Sequence, residues 1–582
     1  MDVNPKNNDT KYIAWRFWFL LGFLSLCAFV LFYRAVDLHV FEQAFLAEQG
    51  DARTIRFELL DAHRGVIMDR YGEPLAISAP VETVYANPKQ MNLSSSDLKK
   101  LAKKLSLSSD WLKRKIERNN TKSFIYLKRK MAPHEVEAVL ALNLDGVYSR
   151  REYKRYYPAG EVASHVVGFT DIDEQGQEGV ELSYDDWLSG SVGKKRVLKD
   201  RKARVIKDFG PVKVAEPGKD IRLSLDMRIQ YLAYRELKAA VSTHKARAGS
   251  IVVLDINSGD VLAMVNQPSY NPNNRQNINV SHLRNRAITD VFEPGSTMKM
   301  ATISAALESN KYSLSTVLDT SPGFLRLGRK AIRDHRNYGE LSVLNIVAKS
   351  SNVGTSKIAL DLSGDVVWDM FYRLGFGQGT GIGFPGESIG YLPNSTKWKP
   401  LQVATMSYGY GLNATALQLA QAYMILGNGG IKHSLGLIHR DTVIAGEQIL
   451  PKHVSNSLRK VMKAVVSKGG TGTRAAVPLY DVGGKTGTVH RVGKTGYELS
   501  EYKALFAGVA PIEKPEIAMV VVIDSPAGAE YYGGEVAAPV FSRVVNGAMR
   551  LLSVKPDKGL AGAEVNKTQR EFSHLLLPRS KS

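Results

Sequence analysis

Cysteine is almost missing: one residue, Cys27, in a chain of 582. A single thiol excludes any disulfide within the chain and any zinc site built on cysteine pairs. No H-E-x-x-H occurs, and no other stretch gathers histidines with carboxylates. No metal and no cofactor are therefore expected. Nucleic-acid signatures are missing too. The net charge is +20, but the basic residues are spread out, with no helix-turn-helix, zinc-finger or RNP pattern, so no nucleic-acid partner is expected. The densest excess, residues 101–150, holds 11 Lys/Arg against 5 Asp/Glu. It reads as a solvated face or as a surface near anionic lipid or cell wall.

What is present begins with one hydrophobic run. Phe17 to Tyr33 is seventeen residues without a charge, about 25 Å as a helix. Ile13, Trp15 and a snorkelling Arg16 extend it toward the ~20 residues a bilayer needs. A cleaved signal peptide would have a shorter core and small residues at its exit, whereas the exit here is LFYRAVDLHV. Lipidation at Cys27 would want a small residue before it, and Leu26 stands there. An uncleaved single-pass anchor over 13–33 is the expectation. Lys6, Lys11 and Arg16 precede it, and Asp37, Glu42, Glu48 and Asp51 follow, which keeps residues 1–12 in the cytoplasm and the bulk outside. An exported chain without disulfides fits the bacterial periplasm.

At this length two or more domains are needed. Residues 34–219 read as a spacer or docking module of α+β type. It has a two-strand turn at Tyr71-Gly72, helical spacing from Leu98 to Ile116 with Ser96 as an N-cap, and more from Val180 to Leu188. Asp171, Asp173, Glu174 and Glu178 match no EF-hand spacing and read as a solvated loop. Two prolines and two glycines in Lys207–Lys219 mark a boundary. Residues 220–553 read as an α/β domain. It has a helix from Met227, a hairpin over Gly249–Val265, strands at Tyr480–Gly487, Ala504–Val509 and Glu516–Ile523, and a closing helix over Val536–Leu552. A mostly helical block, about 296–430, is inserted between the strands, which places a cleft at the junction. The tail, 554–582, is polar and reads as disordered.

The chemistry centres on EPGSTMKMATISAAL, Glu293 to Leu307. S-x-x-K occurs six times, starting at Ser96, Ser191, Ser242, Ser296, Ser457 and Ser500. Only at Ser296 do Pro294 and Gly295 force a helix start with an apolar helix behind. Residues i and i+3 share a face, so Lys299 reaches the Ser296 hydroxyl. A buried lysine at a positive helix end loses its proton readily and can take one from serine. Two later motifs support the pair. Ser350-Ser351-Asn352 lies at a break between helical runs, with a rival S-x-N at Ser269 in a Pro/Asn-rich loop. Lys485-Thr486-Gly487-Thr488 lies on a strand, with a rival K-T-G at Lys494 in the next hairpin loop. S-x-x-K, S-x-N and K-T-G in this order form the trio of penicillin-binding proteins and class A β-lactamases.

The resemblance goes further. Arg64, Gly65, Ile67, Asp69, Arg70, Gly72, Leu75 and Ala76 match the RGxIxDRxGxxLA box of class B penicillin-binding proteins. Arg155–Gly160 resembles its second box, Gly176, Gly179, Glu181, Leu188, Gly190 and Gly193 resemble its third, and Gly469–Gly472 and Tyr531–Gly534 are also similar. The S-x-N at Ser350 resembles the cell-division (FtsI type) peptidoglycan transpeptidase, since the elongation enzyme usually has S-x-D. Met300 stands where proline is common, and Val489 where alanine is common. The resemblance implies a penicilloyl-serine transferase fold, a sheet flanked by helices behind an α+β pedestal. It implies that Ser296 attacks the D-Ala-D-Ala carbonyl of a peptidoglycan stem peptide, with Lys299 as base. Ser350, with Lys485 behind it, relays a proton to the leaving D-alanine. Asn352 holds the donor amide and orients Lys299. Thr486, Gly487 and Thr488 form the substrate-binding strand, the two threonines binding the terminal carboxylate. Backbone N–H groups of Ser296 and Thr488 form the oxyanion hole. β-Lactams acylate Ser296. The glycosyltransferase FtsW and other division proteins are the implied partners. A β-lactamase, or a non-catalytic sensor or scaffold, remains as an alternative reading of the same trio.

Overall fold

The computed structural model describes residues 9–46, 48, 55–199, 205–493 and 496–558. Helix Asp9–Val36 carries the apolar run. Among the described residues one helical stretch, Trp15–Phe41, is long and apolar enough to cross a membrane, with a mean hydropathy of 2.1. Its large side chains are exposed along the whole run. An exposed, all-round apolar helix of this length is consistent with a single-pass membrane anchor. The helix runs past the expected end at Tyr33, and Arg34 is neutralised there by Asp37 one turn on.

The smaller of two compact units comprises 9–63, 81–152 and 190–217. Strands Ile55–Leu60, Gly193–Lys199 and Val205–Lys213 form an antiparallel sheet in that order. The last of these occupies half of the stretch expected to be a linker. Its Pro211 is tolerated because the strand lies at the sheet edge. Helices Ser95–Leu105, Ser109–Glu117 and Pro133–Leu140 cover a second set of strands through Leu101, Leu105, Leu112 and Val136. The cap of the first helix is Ser94, which accepts from Asp97 N at 3.1 Å, rather than Ser96, which lies in the first turn.

The larger unit takes 64–80, 153–189 and everything from 218. The first two sequence boxes and residues 176–189 of the third fold with the C-terminal region, while Gly190 and Gly193 belong to the smaller unit. Arg64 and Glu181 are almost wholly buried. Arg64 meets Glu181 at 2.7 Å and Asp185 at 2.7 Å, and Arg155 grips the other oxygen of Glu181 at 2.7 Å. One carboxylate between two guanidinium groups is a buried network whose parts stand or fall together. Asp69 ties the Tyr71-Gly72 turn, accepting from Tyr71 N and Glu73 N. Asp171 holds its loop similarly, accepting from Asp173 N and Gln175 N.

The central sheet of this unit is antiparallel, in the order Val261–Gln267, Ala248–Asp255, Ile517–Asp524, Gly496–Ala510, Gly483–Gly493. Alternating side chains feed two cores. Ile251, Val253, Phe506, Val521 and Ile523 pack against helices Met227–Thr243 and Gly533–Leu551. Val252, Leu254, Leu505, Val520 and Val522 face the helical block, which includes the wholly buried helix Ala416–Gly427. Helix Lys299–Glu308 lies in this second core, buried from Lys299 to Leu307. The strand Gly483–Gly493 is left at the sheet edge beside it.

Replacing Glu181 by alanine would leave two buried guanidinium groups facing each other. A loss of roughly 3–5 kcal/mol is expected, read as a lower urea midpoint. Ser189→Ala, which removes one neutral partner of Arg64, should cost only about 1 kcal/mol.

Candidate active site

Gly295 has φ +55, and a Cβ built on it would lie 2.2 Å from Val489 Cγ1. Only glycine fits this turn. Its N–H donates to Gly409 O, and Thr297 Oγ1 donates to Pro294 O at 2.6 Å. The chain then runs through a 3-10 turn, Gly295–Met298, into helix Lys299–Glu308. Ser296 is left half-buried on a cleft wall, and Lys299 points into the core with no exposed surface.

The lysine does not bond the nucleophile directly, as the i, i+3 spacing had suggested. Lys299 Nζ donates to Ser350 O at 2.5 Å and to Ser350 Oγ at 3.0 Å. Ser350 Oγ in turn donates to Ser296 Oγ at 3.1 Å. Ser350 has φ +62, a left-handed conformation that non-glycine residues rarely adopt and that marks functional turns. Burial first, and then the charge of Lys485, hold the Lys299 amine well below the ordinary lysine pKa, against a smaller opposing effect of Asp334.

Ser351 caps helix Asn352–Leu362, accepting from Gly354 N at 2.9 Å. Its hydroxyl donates to Asp334 at 2.5 Å. Asp334 also accepts from Asn352 N at 2.5 Å and Val353 N at 2.9 Å, a carboxylate on a helix N-terminus. The Asn352 amide lines the cleft but donates to Arg333 O at 3.0 Å. The expected contact between Asn352 and Lys299 is replaced by this one.

Lys485 is also wholly buried, and burial lowers its pKa to about 7. Its Nζ donates to Thr486 O at 3.0 Å rather than to Ser350. Thr486 Oγ1 pairs with Thr471 Oγ1 at 2.9 Å, and Thr488 Oγ1 accepts from Gly533 N at 2.9 Å. A Cβ on Gly487 would sit 3.1 Å from Leu505 Cδ1 and 3.2 Å from Pro294 O. Glycine there lets the strand approach the nucleophile turn. Ser296, Ser350, Asn352, Thr486 and Thr488 all line one cleft of about 810 Å³. Of the rivals, Ser269 donates to Glu161 O at 2.7 Å and is not among the residues lining the cleft; Lys494 and Thr495 lie outside the described residues.

The family model for the penicillin-binding protein transpeptidase domain matches residues 249–546, and that for the penicillin-binding protein dimerisation domain matches 59–223. The chain is a class B penicillin-binding protein. It is 41% identical over 560 residues to the peptidoglycan D,D-transpeptidase FtsI of Escherichia coli K12, covering 95% of each chain. It is 41% identical to the probable peptidoglycan D,D-transpeptidase PenA of Neisseria gonorrhoeae, covering 94% of each. The solved transpeptidase domain of Burkholderia pseudomallei penicillin-binding protein 3 is 37% identical, with a TM-score of 0.54, and covers 58% of this chain and 98% of that one.

In this penicillin-binding protein Asp334 is the site residue that sequence reasoning missed. A lone aspartate seventeen positions before Ser351 has no motif spacing to reveal it. Thr471 was visible only as part of a familiar glycine box. The Tyr531-Tyr532 pair forms a wall, with Tyr502 stacked on Tyr531 at 4.4 Å.

Asp334→Asn keeps the size but loses the charge that gathers two N–H groups and a hydroxyl at the Ser350 turn. Acylation of Ser296 by a β-lactam is expected to slow by about 10–100-fold, the value of one or two charge-assisted hydrogen bonds. Stopped-flow acylation rates check this. A change under twofold would mean that Asp334 does not position the turn.

Proposed function

We propose that this chain cross-links peptidoglycan stem peptides of the septal wall during cell division. The hydrogen-bond path from the buried Lys299, whose pKa burial lowers, through Ser350 to Ser296 carries this reading. The neutral amine is the base. Ser296 Oγ loses its proton along that path and attacks the carbonyl of the penultimate D-alanine of a donor stem. The oxyanion that forms is held by the backbone N–H groups of Ser296 and Thr488. The peptide C–N bond breaks, and the leaving D-alanine takes a proton through Ser350, with the Lys485 charge supporting the relay. Asn352 holds the donor peptide. Thr486 and Thr488 bind the terminal carboxylate on a strand kept close by Gly487. An acceptor amine then attacks the acyl-Ser296 ester, forms the new amide and returns the nucleophile. A β-lactam enters as a donor mimic and stays bonded to Ser296.

Residues 13–33 form the inner-membrane anchor, with 1–12 cytoplasmic and the catalytic region, 220–553, periplasmic. Residues 34–219 serve as the pedestal, although 64–80 and 153–189 are built into the larger unit. Of the tail expected over 554–582, residues 559–582 lie outside the described residues, and 554–558 are held in place, Tyr480 donating to Val554 O at 2.9 Å and Lys558 meeting Asp481 at 3.2 Å. Glycan polymerisation is supplied by the membrane glycosyltransferase FtsW, among other division proteins.

Fluorescent penicillin should label the full-length chain stably, and Ser296→Ala should abolish both labelling and cross-link formation in the presence of a glycan polymerase. Absence of labelling in the wild type contradicts the enzyme reading. Rapid loss of label would indicate a β-lactamase, and stable label without cross-links a sensor.

A further inference from the structure

A second cavity, of about 630 Å³, borders the catalytic cleft at His490, which lines both. It is walled by the continuation of the K-T-G strand, residues 489–492, and by the segment just before the nucleophile, 289–293. Its charges are unbalanced. Asp290 is gripped by Arg284 at 3.0 Å and Arg286 at 3.0 Å. Asp524 is gripped by Arg247 and by Lys503 at 2.7 Å. Glu293 also lines the cavity, so four cations face three carboxylates, leaving one positive charge over. Arg491 is balanced by Glu498 and Glu501 outside the cavity. Burial pushes the Glu293 carboxyl above its ordinary range. Among the described residues the buried Nε of Arg286 has no acceptor. Burial also lowers the pKa of Lys503, with Asp524 opposing. Arg247 and Arg284 are exposed, but Arg286 and Lys503 are largely buried, and a cationic surplus there with an orphan N–H is offset when an anion arrives.

We infer that this cavity binds carboxylates of the acceptor stem peptide. The inference rests on the transpeptidase reading. There, the carboxylate of the donor is taken by Thr486 and Thr488. The second peptide must reach the acyl-Ser296 with its own carboxylates, and the next residues along the same strand offer the matching charge.

The test uses full-length protein acylated with penicillin, so that the donor site is filled. A soluble stem peptide with free carboxylates is titrated calorimetrically, beside the same peptide amidated and inorganic phosphate. The acidic peptide should bind, the amidated peptide should not, and Arg284→Gln should weaken binding about tenfold, as expected for loss of one charged contact. Equal binding by the amidated peptide, or no change in Arg284→Gln, would overturn the assignment. So would phosphate binding as tightly as the peptide, which would mark a general anion site. Failure of penicillin to acylate the protein would instead contradict the parent reading. Acylation without peptide binding would contradict this inference alone.

Discussion

The contact of the Lys299 amine with Ser350 is what the rest of the site depends on. A lysine ammonium in an apolar helix core would be costly, so the folded chain favours the neutral amine. That amine can serve as a base only if a hydroxyl lies within reach, and the strained turn at Ser350 provides one. The turn is held by Asp334 on one side and by the buried lysine on the other. The nucleophile completes the path.

The fold keeps this arrangement rigid. The sheet divides two cores, and one of them buries the whole nucleophile helix. Where backbone segments approach closest, glycines remove the side chain: Gly295 against Val489, and Gly487 against Pro294. Lys485 and Thr471 set the adjoining strand from behind, leaving Thr486 and Thr488 at the cleft wall.

Much of this was legible in the sequence, because local rules govern it. Pro294-Gly295 before an apolar helix located the nucleophile turn, and alternating runs located the strands. The long apolar N-terminal helix followed from length and composition. Less legible was anything set by distant partners. The Lys299 path runs through a residue 51 positions away, not three. Asp334 acts on a loop to which no motif links it. Arg64, Arg155 and Glu181 are far apart in sequence, so their burial together in the larger unit left no periodic signal. The capping hydroxyl at Ser94 rather than Ser96 is a smaller case, since three consecutive serines offer equivalent caps until the helix axis is fixed.

The central claim is that burial lowers the pKa of Lys299 so that its amine serves as the base for Ser296. The rate of Ser296 acylation by a β-lactam as a function of pH tests it most directly. If Lys299 is the base, the rate rises as its amine loses a proton, and the low pKa places that rise well below 10.5. The account predicts a rate that levels off well below that pH. A rate that keeps climbing about tenfold per pH unit through pH 9 to 10 would contradict it, because Lys299 would then carry an ordinary lysine charge in the resting enzyme.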